Sequence, residues 1–190
     1  MKRVIPLILI VLVAIFSGCA TNYPGQVVPA TEFDKVEINS GFHVDIGVGE
    51  DYGVTLKVDE DILDDVEAVK DGDTLTIRVK LGHTIPRATT LGAEVTMPSL
   101  AALNLRSGSH VTVSGSGDDV TFDISGGSHA DMGNFAAKNA DLTATSGSHV
   151  TVNVSGKLDV KVSGGSHVTY KGEPQIGNID ISGGSTFSKQ

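Results

Sequence analysis

The sequence predicts an all-β protein: a right-handed parallel β-solenoid with repeats of about 19 residues, preceded by an N-terminal β-rich region. A Ser-Gly-Ser-His or Ser-Gly-Gly-Ser-His motif recurs in the second half of the chain, and runs of alternating apolar and polar residues flank each copy. Such short repeats cannot bury their own apolar face, so stacked copies must share one core. The hand follows from the usual chirality of parallel connections. An antiparallel sandwich is the alternative, because short strands and glycine-rich turns also suit it.

The composition argues against several classes of function. The chain has 14 Lys and Arg against 23 Asp and Glu, a net charge of −9, whereas binding to nucleic-acid phosphates requires positive charge. The single cysteine excludes an intramolecular disulfide and a zinc site built from several cysteines. The sequence contains no phosphate-cradling glycine loop, HExxH motif or nucleophile elbow. We therefore expect no nucleic-acid partner, no cofactor and no enzymatic activity.

Residues 1–18 are predicted to be a lipoprotein signal peptide. Lys2-Arg3 form a basic head, and the apolar run Val4–Phe16 is shorter than the roughly 20 residues that span a membrane. The tetrapeptide that ends at Cys19 resembles a bacterial lipobox, which implies that Cys19 is lipidated and begins the mature chain. Ala20 favours sorting to the outer membrane if the host is Gram-negative.

Residues 19–31 are predicted to be a lipidated tether, since this segment contains Pro24, Gly25 and Pro29 and has few periodic signals. Removal of residues 1–18 makes the mature chain more acidic, so lipid rather than protein charge must hold it at the membrane. We expect a protein of the cell envelope whose membrane contact is this anchor.

Residues 32–104 are predicted to form an acidic β-rich region. The segment 59–65 is the one candidate for a helical turn, and its carboxylates lack the ligand spacing of a calcium-binding EF-hand loop. A hairpin is predicted around Asp71-Gly72-Asp73. The strand-like runs of this region are Val36–Ile38, His43–Ile46, Val54–Val58, Val66–Val69 and Leu75–Val79.

Residues 105–190 are predicted to form the repeat solenoid, and 32–190 to be one continuous fold. The motif ends at His110, His129, His149 and His167, and a final copy ends at Thr186; the intervals are 19, 20, 18 and 19 residues. A flexible Gly-Ser linker is disfavoured because alternating runs flank every copy.

The parity of strand residues assigns faces within each repeat, because neighbours in a strand point in opposite directions. The serine before each histidine joins the inward apolar face. The outward face carries a candidate binding ladder, stacked about 4.8 Å apart if the repeats are in register. Its members are His110, His129, His149, His167, Thr112, Thr151 and Thr169.

An alternating N-terminal stretch followed by about five Ser-Gly-Ser or Ser-Gly-Gly-Ser units, with strands such as Val111-Thr-Val113, resembles the putative auto-transporter adhesin family with the head GIN domain. The resemblance extends from about Phe33 to Phe187. It implies a β-helical fold and an exported or lipid-anchored protein. This chain departs from the common Ser-Gly-Ser-Gly-Asp repeat by placing His where the second Gly would stand. The resemblance implies no catalytic residues.

Three functions fit the sequence. The first is a non-enzymatic envelope lipoprotein that acts as an adhesin or surface-binding module, with a polysaccharide, an envelope protein or another copy of itself as partner. The alternatives are a structural envelope protein without a dedicated ligand and a periplasmic metal-binding protein that uses the four histidines. Imidazoles suit zinc, copper and nickel, but four in a line cannot surround one ion, so we predict no closed metal site.

Overall fold

The computed structural model describes residues 25–49, 51–86 and 89–190, and it is 61% strand. The prediction of an all-β protein is confirmed: the strands form one hydrogen-bonded sheet, which curls into a half-barrel. Among the described residues, no helix is long and apolar enough to cross a membrane. The predicted signal peptide and Cys19 lie outside the described residues.

The described strands alternate with short turns. A 3-10 helix, Glu60–Asp65, lies where the sequence predicts a helical turn. The first seven strands are β1 (Gln26–Val27), β2 (Lys35–Ile38), β3 (His43–Val48), β4 (Gly53–Val58), β5 (Val66–Asp71), β6 (Thr74–Val79) and β7 (Leu91–Met97). The later strands are β8 (Ala102–Leu105), β9 (His110–Ile124), β10 (His129–Ala144), β11 (His149–Val154), β12 (Lys157–Val162), β13 (His167–Lys171), β14 (Gln175–Ile181) and β15 (Thr186–Lys189).

Two parallel ladders of strands carry the repeats. The first ladder contains, side by side, β7, β3, β9, β10, β11, β13 and β15. The second contains β6, β2, β8, the C-terminal parts of β9 and β10, β12 and β14. Each repeat adds one segment to each ladder, and the motif residues of successive repeats pair in register, from His110 to Thr186.

The order of the rungs along the stack differs from their order in the chain. The rung made by β2 and β3 lies between a rung made by β6 and β7 and a rung made by β8 and β9. Strand pairing thus crosses the boundary at 104/105 that separates the two predicted regions. Strands β1, β4 and β5 pair antiparallel at the N-terminal end of the stack.

Part of the predicted tether belongs to this N-terminal end. Gln26 and Val27 pair with β4, the backbone N–H of Val28 donates to the carbonyl of Val54 at 2.9 Å, and Ala30 is buried. The described part of the predicted tether therefore contacts the folded part of the chain. An unpaired edge of β4 would leave backbone groups without partners, and this segment supplies them.

The core lies beneath both ladders, because alternate strand residues point inward. In β9, for example, His110 and Thr112 are exposed, whereas Val111 and Val113 are buried. The largest buried side chains include four phenylalanines: Phe33, Phe42, Phe122 and Phe135.

The turn from the second ladder to the first has the same backbone conformation in each repeat. Two consecutive residues adopt positive φ, as in Gly126 and Gly127 with φ of 68° and 72°. A Cβ at Gly126 would lie 2.8 Å from the backbone nitrogen of Ser107, so a side chain here would crowd the preceding turn. The equivalent pairs are Ser40-Gly41, Ser107-Gly108, Ser146-Gly147, Gly164-Gly165 and Gly183-Gly184.

Candidate functional site

Five stacked imidazole rings form a column on the outer surface of the first ladder. We call His43, His110, His129, His149 and His167 the histidine column. Successive ring centroids lie 4.6, 5.3, 4.6 and 4.9 Å apart, and neighbouring ring planes differ by 4–6°. All five residues are exposed. The structure therefore brings the four histidines predicted from the repeats together on one face.

The buried serines of the turns position the column. In the four motif copies that end in histidine, the hydroxyl of the serine before the histidine points inward and donates to the carbonyl of the residue three positions earlier, as Ser128 Oγ does to Ser125 O at 2.7 Å. The other donors are Ser109 to Arg106, Ser148 to Thr145 and Ser166 to Ser163, at 2.7–2.8 Å.

Neighbouring rungs are also tied together through these turns. Ser166 Oγ accepts from the backbone N–H of Ser148 at 3.1 Å, and the backbone N–H of His149 donates to Ser128 O at 3.0 Å. The backbone bond to the serine carbonyl of the preceding turn recurs at His129, His149 and His167, so these histidines begin their strands at equivalent places.

His43 is the column member that sequence reasoning missed. It pairs with His110 in register and stacks on it, although 67 positions separate the two residues. Its local sequence, Ser40-Gly41-Phe42-His43-Val44, keeps the Ser-Gly pair and the histidine of the motif but has phenylalanine where the later copies have serine. Phe42 is fully buried in that position. A search for the Ser-Gly turn pair, any one residue and then His-Val would have identified His43 from the sequence.

A second row runs beside the column, two residues further along each strand. We call Thr112, Asp131, Thr151 and Thr169 the threonine row; they pair in register across β9, β10, β11 and β13. All four are exposed or half-buried. A shallow depression of about 280 Å³ lies between the two rows, with His129, His149 and Thr151 among its lining residues. The surface is extended rather than pocket-like.

Burial and stacked neighbours make protonation unfavourable for His129, at the centre of the column. Two unit charges 4.6 Å apart in water repel each other by about 0.9 kcal/mol. Burial lowers the pKa of His129 below its usual 6.5, and the neighbouring His149 and His110 lower it further. The column is therefore harder to protonate at its centre than a solitary exposed histidine would be.

Parallel stacking also restricts what the column can bind. A ring nitrogen coordinates a metal in the plane of its ring, and two parallel, separate planes share no point, so neighbouring rings cannot chelate one ion without rotating. Among the residues that the structure describes, no group of three or more His, Cys, Asp or Glu is placed to hold a metal. The ring edges, with their nitrogen atoms, are the hydrogen-bonding groups that the column can offer to a partner.

The Ser-His dipeptides do not form catalytic pairs within a strand. Ser109, Ser128, Ser148 and Ser166 are fully buried, whereas the histidines that follow them are exposed. The hydroxyl and the ring of each pair thus lie on opposite faces of the sheet, beyond the hydrogen-bond reach that a nucleophile and its base require.

Three solved structures of low sequence identity are similar to this chain. A protein from Bacteroides fragilis described as "a putative adhesin" has a TM-score of 0.49 at 16% identity, covering 87% of this chain and 96% of its own. Another "putative adhesin", from Parabacteroides merdae, has a TM-score of 0.45 at 13% identity, with 87% and 95% covered. A "putative lipid binding protein" from Parabacteroides distasonis has a TM-score of 0.41 at 14% identity, with 87% and 96% covered.

No curated protein matches this chain. The family model described as "Putative auto-transporter adhesin, head GIN domain" matches residues 32–116 and 107–174, so its two matches together extend across both the N-terminal rungs and most of the repeats. By this match over most of its length, the chain belongs to the putative auto-transporter adhesin family with the head GIN domain.

Proposed function

We propose that the protein is a non-enzymatic adhesin or surface-binding module of the cell envelope, which holds a repetitive partner along the histidine column and the threonine row. One observation carries the proposal: five exposed imidazoles stand in register at 4.6–5.3 Å intervals on one sheet face. A regular array of this kind matches a partner that is itself periodic, such as a polysaccharide, better than a single small molecule.

The shape of the face favours binding over catalysis. Catalytic groups work in a pocket where they converge on the reacting atoms and where their environments drive their pKa values apart. The column instead repeats one side chain along an open surface, and the serine hydroxyls beside it are buried in the turns. Membership of the adhesin family agrees with a binding role.

The architecture and the anchor belong to the same proposal. The in-register parallel pairs of the two ladders support a right-handed parallel β-solenoid with a period of about 19 residues. Residues 1–18 would direct export, and a lipid on Cys19 would tether the solenoid to the envelope, at the outer membrane in a Gram-negative host. In that arrangement, the column is carried outward from the membrane surface on a rigid stack.

The test replaces all five column histidines with threonine, the residue that the last repeat already has at Thr186. We expect the variant to keep the wild-type circular dichroism spectrum and to lose most attachment of protein-coated beads to cells or extracellular matrix. His83→Thr is the matched control, since His83 is the sixth histidine of the chain, lies outside the column and bonds to Asp65. Unchanged attachment of the five-site variant would show that this face is not the binding surface and would favour a purely structural role.

A further inference from the structure

The charge on the face around the histidine column can change sign within the imidazole titration range. With neutral imidazoles, the face carries little net charge, because its carboxylates and ammonium groups nearly balance. The carboxylates are Asp45 on β3, Glu94 on β7 and Asp131 on β10, and the ammonium groups are Lys57 on β4 and Lys171 on β13. Glu94 and Lys57 form an ion pair with each other. Protonation of the column would add up to five positive charges in a straight line.

The line of charge would be dense and directed at solvent. The rings lie about 5 Å apart with their planes nearly parallel, so each internal ring has its two faces against neighbouring rings and its edges left for a partner. Neighbouring imidazolium groups would repel each other, and the threonine row does not supply a negative charge beside every one of them. A bound chain of anions would offset this repulsion.

We propose that the histidine column is an acid-gated binding track for a linear polyanionic polysaccharide, such as a polymer of uronic acids. The inference rests on the proposed function and names the class of partner that the same face would take. Uronic carboxylates stay ionised at about pH 5, because carboxylic acids titrate near pH 4, so polymer and column carry opposite charges in that range. At neutral pH the net charge of −9 on the chain repels the same polymer.

The geometry favours a polysaccharide over a nucleic acid. Proteins bind single-stranded nucleic acids by combining a basic groove with aromatic faces on which bases stack. Here each internal ring of the column has both faces covered by neighbouring rings, so hydrogen-bonding edges are offered in place of stacking surfaces. Hydroxyl and carboxylate groups of a sugar polymer are suited to such edges and to the adjacent hydroxyls of Thr151 and Thr169.

The lowered pKa of His129 agrees with a gate that opens only under acidic conditions. A polyanion that binds the protonated column must, by linkage, raise the pKa of the imidazoles that it touches. Binding should therefore be accompanied by proton uptake.

The experiment measures binding of polygalacturonate, neutral dextran and oligo-dT to the protein by calorimetry at about pH 5 and pH 7.5, at about 0.15 M ionic strength. We expect polygalacturonate to bind about tenfold or more tightly at the lower pH, with uptake of protons, and dextran and oligo-dT to bind much more weakly. The five-site His→Thr variant should lose this binding, and His83→Thr should retain it.

A charge variant supplies an independent readout. Asp131→Asn removes a carboxylate beside the column but keeps the side-chain oxygen that accepts from the N–H of Gly133 at 3.0 Å. It should bind polygalacturonate more tightly than wild type at about pH 5. A neutral or weakening effect would contradict an electrostatic track.

The outcomes separate this inference from the proposed function. Equal affinity at the two pH values, equal binding of dextran, or equal binding of oligo-dT would overturn the acid-gated polysaccharide track. If the five-site variant loses attachment to cells while polygalacturonate does not bind the wild type, this inference fails and the proposed adhesin function stands. If attachment does not depend on the histidines, the proposed function fails as well.

Discussion

The serine and the histidine of each repeat motif perform separate tasks because they point to opposite sides of the same strand. The serine is fully buried and donates to a carbonyl of its own turn, and Ser166 also accepts from the backbone of the preceding turn, while the histidine contributes one ring to the outer column. A buried hydroxyl is stable there because its hydrogen bonds to the backbone replace those that it would make with water.

Ser166→Ala tests this role. The substitution removes the hydroxyl that donates to Ser163 O at 2.8 Å and accepts from Ser148 N at 3.1 Å, so two backbone groups lose this partner. We expect the free energy of unfolding to fall by about 1–3 kcal/mol in urea titrations. Ser188→Ala, on the exposed face of β15, is the control and should change it by less than about 0.5 kcal/mol. Equal effects at the two positions would contradict a structural role for the buried serine.

Among the structural elements, the turns contain paired left-handed residues whose surroundings differ. Gly126 faces the backbone of the preceding turn, whereas a Cβ at Gly127 would meet no atom within 4 Å. The two glycines thus share the same left-handed backbone conformation but differ in the space available for a side chain.

Alanine substitutions at these two positions should separate strain from contact. Gly127→Ala should destabilise the protein by about 1–2 kcal/mol, the cost of a left-handed conformation. Gly126→Ala carries that cost and also a 2.8 Å contact with the nitrogen of Ser107, so its loss should be larger by at least about 1 kcal/mol. Urea-unfolding midpoints measured side by side decide the matter, and a smaller loss at Gly126 would show that the turns can move apart.

The strands and turns were largely predictable from the sequence, since alternating residues identify strands and a fixed motif interval identifies which residues of successive repeats become neighbours. The positions of β2, β3, β6 and β7 in the stack were not predictable, because residues 32–104 lack a repeated motif that would show which strands pair. His43 was missed for the same reason, since Phe42 stands where the later copies of the motif have serine. Pairing of Gln26 and Val27 with β4 was also missed, since a two-residue edge strand leaves no periodic signal.

For the molecule as a whole, the histidine column should make stability depend on pH. The pKa of His129 is lowered in the folded protein, with His110, His149 and the Asp131 carboxylate as its charged or titratable neighbours, so the unfolded chain binds more protons in this range. The stabilisation is present above about pH 6.5 and is lost as pH falls through the folded-state pKa.

Urea unfolding between about pH 7.5 and pH 5 should show this decline for the wild type and a flatter profile for the five-site His→Thr variant. The lowered pKa values of Asp73 and Asp159 do not confuse the result, because these carboxyls titrate below their usual 3.8. Parallel profiles for the two proteins would mean that the stacked rings protonate without cost.

The internal position of the rung made by β2 and β3 has a consequence for how the molecule assembles. This rung comes first among the ladder strands of the chain, and later strands pair with both of its edges. Strands β6 and β7 pair on one side, and β8 and β9 pair on the other. It is therefore a template for growth in two directions. The antiparallel strands close one edge, and the repeats lengthen the other one rung at a time, each in contact mainly with its neighbours. Duplication of one repeat would thus lengthen the track by one imidazole without altering the closed end.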